Sequence, residues 1–231
     1  EHDPSYDLDR FFPKLVDAYR YNGDIYALPS DLDLGLLYYN KEIFDDAGLP
    51  YPDETWTWDD YLEAAKQLTK GEGPGKVYGT EFPDYPQAFL WQNGADVLSE
   101  DGKTVTIDSP EAVEAITFIS DLVNKHGVAP KPGTAGEGED RFQMGKAAMR
   151  LGFGPWYAYY GLADVEFEWG VAPLPKGKQK STTAYGSSFA IFEASQNKEA
   201  AWEFIKWVLS DQQPLIRAQK FSWFPPASSV V

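Results

Sequence analysis

Two carboxylates two residues apart, Asp31 and Asp33, separate an apolar run (IYALP) from a second one (GLLYYN). Paired acids in an aromatic-rich chain raise the prospect of glycoside hydrolysis, which needs one acid and one base or nucleophile. The spacing argues against it. Residues i and i+2 of a strand share a face, so the two groups lie too close for the separation glycosidases use. No other acid pair stands out. A carboxylate here suits a different task, accepting paired hydrogen bonds. Its plain structural alternative is a turn acid that bonds nearby backbone amides, and Asp31 fits that role better than Asp33. His2 and His126 have no partners at ligand spacing, so no metal site is expected. Glu137, Glu139 and Asp140 alternate with small residues but lack the spacing of an EF-hand loop, and a solvated acidic loop accounts for them. The absence of cysteine excludes disulfides, thiol catalysis and cysteine metal sites. No phosphate-cradling glycine loop is evident, and no cofactor is expected.

With 231 residues the chain can bury one large core or two small ones. It holds 36 acidic against 20 basic residues, a net charge of −16, which argues against nucleic acid or an anionic membrane surface as partner. A neutral or cationic ligand fits that balance; adaptation to salt would produce it equally well. The 8 Trp, 14 Tyr and 14 Phe must mostly form core, yet aromatic faces also cover the apolar C–H surfaces of sugars. No secretory leader or membrane-spanning run is present. Glu1 is not a natural start, so an export segment removed upstream is compatible with the sequence.

These candidates need elements to hold them. Leu8 to Tyr19 reads as an amphipathic helix, followed by two strands joined by the polar crossing at Asp31 and Asp33. Asn40 stands where a helix N-cap belongs and Gly48 where that helix should stop. Thr57 caps a helix to about Thr69 with Tyr61, Leu62, Ala65 and Leu68 facing inward. Val77 to Gly79 begins a strand, and Phe82 to Tyr85 is a loop into a helix that ends near Gly94. Asp101-Gly102 is a turn. Ser109-Pro110-Glu111 starts a helix to about Lys125. Asp140 to Gly145 reads as helical, Ala147 to Phe153 as a buried strand broken by Gly154-Pro155-Trp156, and Phe167 to Ala172 as another strand. Lys176 to Thr183 reads as a solvated basic loop. Tyr185 to Phe192 is a strand. Ser195 caps a helix from Lys198 to Leu209, cored by Ala201, Phe204, Ile205 and Val208, and a second helix runs from Asp211 to Lys220.

Seven motifs recur in a fixed order: LYYN-K-IF-AGL at Leu37–Leu49, TW-DYLEAAKQLT at Thr57–Thr69, SPEAVEAI-F at Ser109–Phe118, F-MGKAAM at Phe142–Met149, GPW at Gly154–Trp156, WGVAPLPKG at Trp169–Gly177 and NKEAAWEFIKW at Asn197–Trp207. In this combination the chain resembles the extracellular solute-binding proteins of ABC transporters, in the sugar-binding branch similar to maltose-binding protein. The resemblance covers about Asn22 to Pro226. It implies an α/β, periplasmic-binding-protein-like two-lobed fold, with one lobe nearly complete and the other partial, since such relatives extend past both ends of this chain. The expected boundaries are 1–33 for the partial first lobe and crossover and 34–185 for the second lobe. Residues 186–220 return to the first lobe, and 221–231 form a tail towards the second.

The same resemblance implies site residues. Asp33 matches a sugar-contacting glutamate at the lobe crossing, and Trp156 matches a sugar-stacking tryptophan; a core position is the alternative for Trp156. Tyr157 follows as a weaker neighbour. Phe82, Asp84 and Tyr85 lie in a loop of family ligand contact. Gly186 and Ser187 occupy the returning crossover, where Gly permits close backbone approach. Asp31 and Trp223 complete the set, while Trp91 and Gln92 read as core and Trp56-Thr57-Trp58 as packing at a helix entry. The implied function is capture of a sugar or oligosaccharide by hinge closure and delivery to ABC permease subunits. The implied protein is a monomer, periplasmic or extracellular, and membrane-anchored if it is a lipoprotein. Two rivals stand beside it: a glycoside hydrolase, and a same-fold binding protein for a peptide, polyamine or phosphate ester.

Overall fold

The structure is a computed structural model that describes residues 3, 6–83, 85–134, 140–154 and 157–210. The chain divides into two compact units. Unit 1 comprises Glu1–Leu34, Gly154–Tyr160 and Ala184–Val231, and unit 2 comprises Gly35–Phe153 and Gly161–Thr183. Residues 154–160, expected within a 34–185 lobe, are thus grouped with unit 1. The expected helix Asp211–Lys220 and the tail lie outside the described residues.

In unit 1 the first helix, α1 (Pro13–Asp17), is a single short turn rather than the expected Leu8–Tyr19. Pro13 occupies its first turn and Phe12 before it is extended (φ −63°, ψ 122°), because proline disfavours a helical residue ahead of it. A hairpin follows, β1 (Arg20–Tyr21) and β2 (Asp24–Ile25), closed by Asn22-Gly23 with both φ values positive. Next comes β3 (Leu28–Pro29), and β4 (Asp33–Asn40) begins here and continues into unit 2.

In unit 2 β4 is flanked by two antiparallel partners, β5 (Met149–Phe153) and β6 (Trp169–Ala172). The helices around this sheet start where local chemistry directs. In α2 (Lys41–Ala47) the Asn40 side chain accepts from Ile43 N–H, and Gly48 (φ 65°) ends the helix. In α3 (Trp58–Leu68) Thr57 and Asp60 form a reciprocal capping box. α4 (Gln87–Gln92) follows the Phe82–Tyr85 loop. In α5 (Pro110–Asn124) Ser109 accepts from Ala112 N–H. The buried stripe of α3 is Tyr61, Ala64, Ala65 and Leu68, with Leu62 only partly covered. Two cores result. Leu37, Phe44, Tyr61, Leu68, Leu122 and Met149 anchor one, and Phe89, Leu90, Ala112, Ala115 and Ile119 the other. Trp58 stacks on Phe118 (4.7 Å) and Trp56 lies against Phe44, so the Trp56-Thr57-Trp58 cluster is packing. Two expected elements are reduced. Val77–Gly79 makes isolated bridges instead of a strand, and Asp140–Gly145 forms turns in which Asp140 Oδ1 accepts from Phe142 and Gln143 N–H.

The return to unit 1 is made by β7 (Ala184–Tyr185), paired with Asp33 and Leu34, and β8 (Ser188–Phe189), paired with β3. The expected single strand to Phe192 is therefore two short ones. The last described helix, α6 (Lys198–Val208), has Asn197 at its N-cap without a side-chain bond; the expected cap, Ser195, instead accepts from Asn197 N–H. The core of unit 1 gathers Phe11, Val16, Leu28, Ile205 and Leu209. Phe204, expected in that stripe, is 52% exposed, and with Trp207 it forms a second, outer apolar face of α6.

Candidate functional site

The predicted site residues fall into two groups, one in each unit. In unit 1 the group surrounds the crossing. Asp31 is fully engaged there. Its Oδ1 accepts from Ser187 N–H (2.7 Å) and its Oδ2 from Ser30 Oγ (3.1 Å). Ser30 N–H in turn donates to Ser187 O (2.9 Å). Asp31 is thus the backbone-bonding acid that sequence reasoning offered as its alternative, and it clasps the outgoing chain to the returning one. Gly186 is held in the same clasp. A Cβ there would sit 2.6 Å from Asp31 O, and Tyr19 OH donates to Gly186 O (3.0 Å). The backbones approach closely because glycine occupies that position.

Asp33 differs from its neighbour. Among the described residues its Oδ1 is buried and accepts no hydrogen bond. Burial, and next the negative charge of Asp31, push its pKa up to about 6. Gly154, at positive φ (21°), lies directly against that oxygen, and a Cβ at 154 would collide with Asp33 Oδ1. The strand β5 therefore leads into a glycine whose backbone packs directly against this carboxylate oxygen. Tyr157 is buried in a π-helical turn, Tyr157–Gly161, on whose outer side Tyr159 and Tyr160 meet edge to face. Such turns inside helical stretches often accompany functional sites.

In unit 2 the group is the loop before α4. Phe82 is half-buried against the second core. Tyr85 is 40% exposed, and its ring meets Phe153 edge to face at 4.1 Å. Gln92 is buried, as expected of a core residue. Trp156, Asp84 and Trp223 lie outside the described residues. Among the described residues no group of three or more His, Cys, Asp or Glu is arranged to hold a metal ion, and no helix is long and apolar enough to cross a membrane.

Sequence reasoning missed how the segment Lys176–Thr183 is anchored, although Lys178, Gln179, Lys180 and Thr182 are exposed as expected of a solvated loop. Trp58 N–H donates to Lys176 O and Lys176 N–H to Trp56 O. Gln92 Nε2 donates to Ser181 O (2.8 Å), Gln92 Oε1 accepts from Trp58 Nε1 (2.7 Å), and Gln179 N–H donates to Gln92 O (3.0 Å). Thr182 Oγ1 donates to Gly35 O (2.7 Å), which fastens this segment to β4 just past the crossing. Its glutamine and threonines were the available signal.

The family model for the bacterial extracellular solute-binding protein matches residues 2–213. The chain belongs to that family. Its relatives include the arabinooligosaccharide-binding protein of Halalkalibacterium halodurans, 30% identical over 214 residues, which are 87% of this chain and 47% of that protein. The protein so named in Bacillus subtilis is 24% identical over 220 residues, 90% of this chain and 49% of its own. Among solved structures, the ABC substrate-binding protein from Listeria monocytogenes in complex with cycloalternan superposes with a TM-score of 0.85 at 30% identity, over 97% of this chain and 58% of that one. Maltose-bound MalE3 of T. maritima gives 0.80 at 34% identity, over 97% and 60%. The solute-binding fold is therefore the α/β, periplasmic-binding-protein-like one, and the chain spans about half the length of the curated relatives it matches.

Proposed function

We propose that the protein containing this chain captures a sugar or oligosaccharide outside the cytoplasmic membrane and delivers it to the permease subunits of an ABC transporter. The observation that carries the reading is Asp33, a carboxylate at the crossing with one oxygen buried and without a donor among the described residues. Such an acceptor is costly unless something donates to it. Adjacent sugar hydroxyls are donors of the right kind. The oligosaccharides and the disaccharide named with the relatives support the same ligand class. Tyr157, Gly186, Ser187, Asp31, Phe82 and Tyr85 join Asp33 in the proposed set; Trp156, Asp84 and Trp223 join it on the family resemblance alone.

Capture works by rotation about the crossing segments. A ligand drives closure when it binds the closed form better than the open one. No bond is made or broken in the sugar. The protein works as a monomer, and a lipid anchor holds it at the outer membrane face where the intact chain carries one. The decisive experiment is calorimetric titration of the intact protein with arabinooligosaccharides, maltooligosaccharides and cycloalternan, with polyamines and glycerophosphodiesters as controls. Saturable binding of one sugar class, recovered unaltered by chromatography, supports the reading. Binding confined to the controls, or turnover abolished by Asp33→Asn, overturns it. Stimulation of ATP hydrolysis by the reconstituted cognate transporter tests the delivery step.

A further inference from the structure

Glu81 opens the loop that carries Phe82 and Tyr85, and it is 8% exposed. Its backbone is held on both sides. Glu81 N–H donates to Met149 O on β5 (2.8 Å), and its carbonyl accepts from Thr80 Oγ1 (3.0 Å). Its carboxylate Oε1 accepts from Arg141 N–H (2.8 Å). Arg150, also on β5, pairs with Asp140 (NH1 to Oδ2, 3.1 Å) behind the same loop, both side chains being largely buried. Burial raises the Glu81 pKa most, and Asp140 adds to that; Arg150 and Arg141 oppose it. Glu81, Asp140 and Arg150 thus lie together near β5, with Arg141 contributing its backbone N–H while its guanidinium turns to Thr134 Oγ1 (3.1 Å). Phe153, at the outer end of that strand, receives the Tyr85 ring.

A buried ion cluster of this kind is poor value for stability alone, because well-packed apolar residues of the same volume serve as well or better. What charged groups with fixed partners supply is a single geometry. We infer that Glu81 is a positioning residue: held by the Arg141 backbone N–H, its carboxylate fixes the loop of Phe82 and Tyr85 against β5 and so sets carbohydrate affinity without touching the sugar. The affinity half of this inference rests on the sugar-binding reading; the positioning half does not.

The test uses the intact protein carrying Glu81→Gln, with Leu122→Ala as a control that creates a cavity in the main core and leaves the Glu81 carboxylate and its partner in place. Hydrogen–deuterium exchange is followed in the peptide spanning Glu81–Tyr85 and in α3 and α5, and affinity is measured for the sugar that wild type binds best. In Glu81→Gln, loop exchange should rise about tenfold while α3 and α5 stay unchanged. Affinity should fall about fivefold, chiefly through faster dissociation. Leu122→Ala should lower the melting temperature and leave loop exchange and affinity near wild type. Unchanged loop exchange in Glu81→Gln, or equal loosening of α3 and α5, overturns the inference. If wild type binds no sugar, the functional reading fails, and the exchange measurements still decide the positioning role. Should Glu81→Gln fail to fold, Glu81→Asp, with the charge on a shorter stem, is read by the same criteria.

Discussion

Asp33 shows how a group proposed to bind ligand can be a thermodynamic burden to its own fold. Its pKa is raised to about 6 by burial and by Asp31, so the folded state holds this proton more tightly than the unfolded chain does. The associated stability is fully present below the ordinary aspartate pKa and is lost as pH rises through about 6. At neutral pH the ionised form is therefore a cost, reduced because the group is only half-buried. Asp33→Asn should unfold at a higher urea concentration than wild type near neutral pH, with the advantage fading on acidification; a midpoint series across pH reads it. The same substitution should weaken sugar binding by about tenfold or more, the usual worth of a hydrogen bond to a charged acceptor. Wild-type affinity should decline as pH falls through the Asp33 pKa, a dependence the variant lacks. The residue type and its place at the crossing were legible in the sequence. The orphaned oxygen was not, since it depends on Gly154, 121 positions away along the chain and brought close by the pairing of β5 with β4.

Among the elements, the helices with side-chain caps were the most legible. Asn40, Thr57 and Ser109 each bond an amide three residues on, so the signal is local and complete in the sequence. Legibility failed where partners are distant or where a single residue vetoes a pattern. Pro13 shortens α1 despite a good apolar stripe. The segment Lys176–Thr183 reads as solvent-loving, yet its anchors on Gln92 are 87 to 89 residues away. That anchoring is open to test. Gln92→Ala removes the acceptor of the Trp58 indole N–H and the donor to Ser181 O, leaving two part-buried polar groups unpaired. A destabilisation of about 3 kcal/mol is expected, from roughly 1–3 kcal/mol for each unpaired group. Denaturant titration checks it. Retention of wild-type stability would mean that the segment is held by its remaining bonds, to Trp56, Trp58, the Gln92 backbone and Gly35.

For the molecule as a whole, the two units are unequally provided with core among the described residues. Unit 2 joins two clusters through Phe118 and Leu151, whereas unit 1 gathers five buried apolar residues in one. Unit 1 should accordingly open at lower free energy. Exchange on the 231-residue chain should protect α3 and α5 longest and release α1 and the β1–β2 hairpin first; protection of α6 equal to that of α3 would contradict this. The two-lobed fold was legible in the motif order, and the grouping of residues 154–160 with unit 1 was not, because a break in a strand does not say with which unit the following turn will group.

The contact of Tyr85 with Phe153 has a spectroscopic consequence. With centroids 4.1 Å apart and planes at 83°, one ring directs a hydrogen into the face of the other. That hydrogen lies in the shielding cone of the facing π system, and its resonance should move upfield, out of the crowded aromatic envelope. With 14 tyrosines and 14 phenylalanines in the chain, a resolved line is valuable. It should shift or broaden when a sugar displaces either ring, which makes one proton a label-free gauge of occupancy.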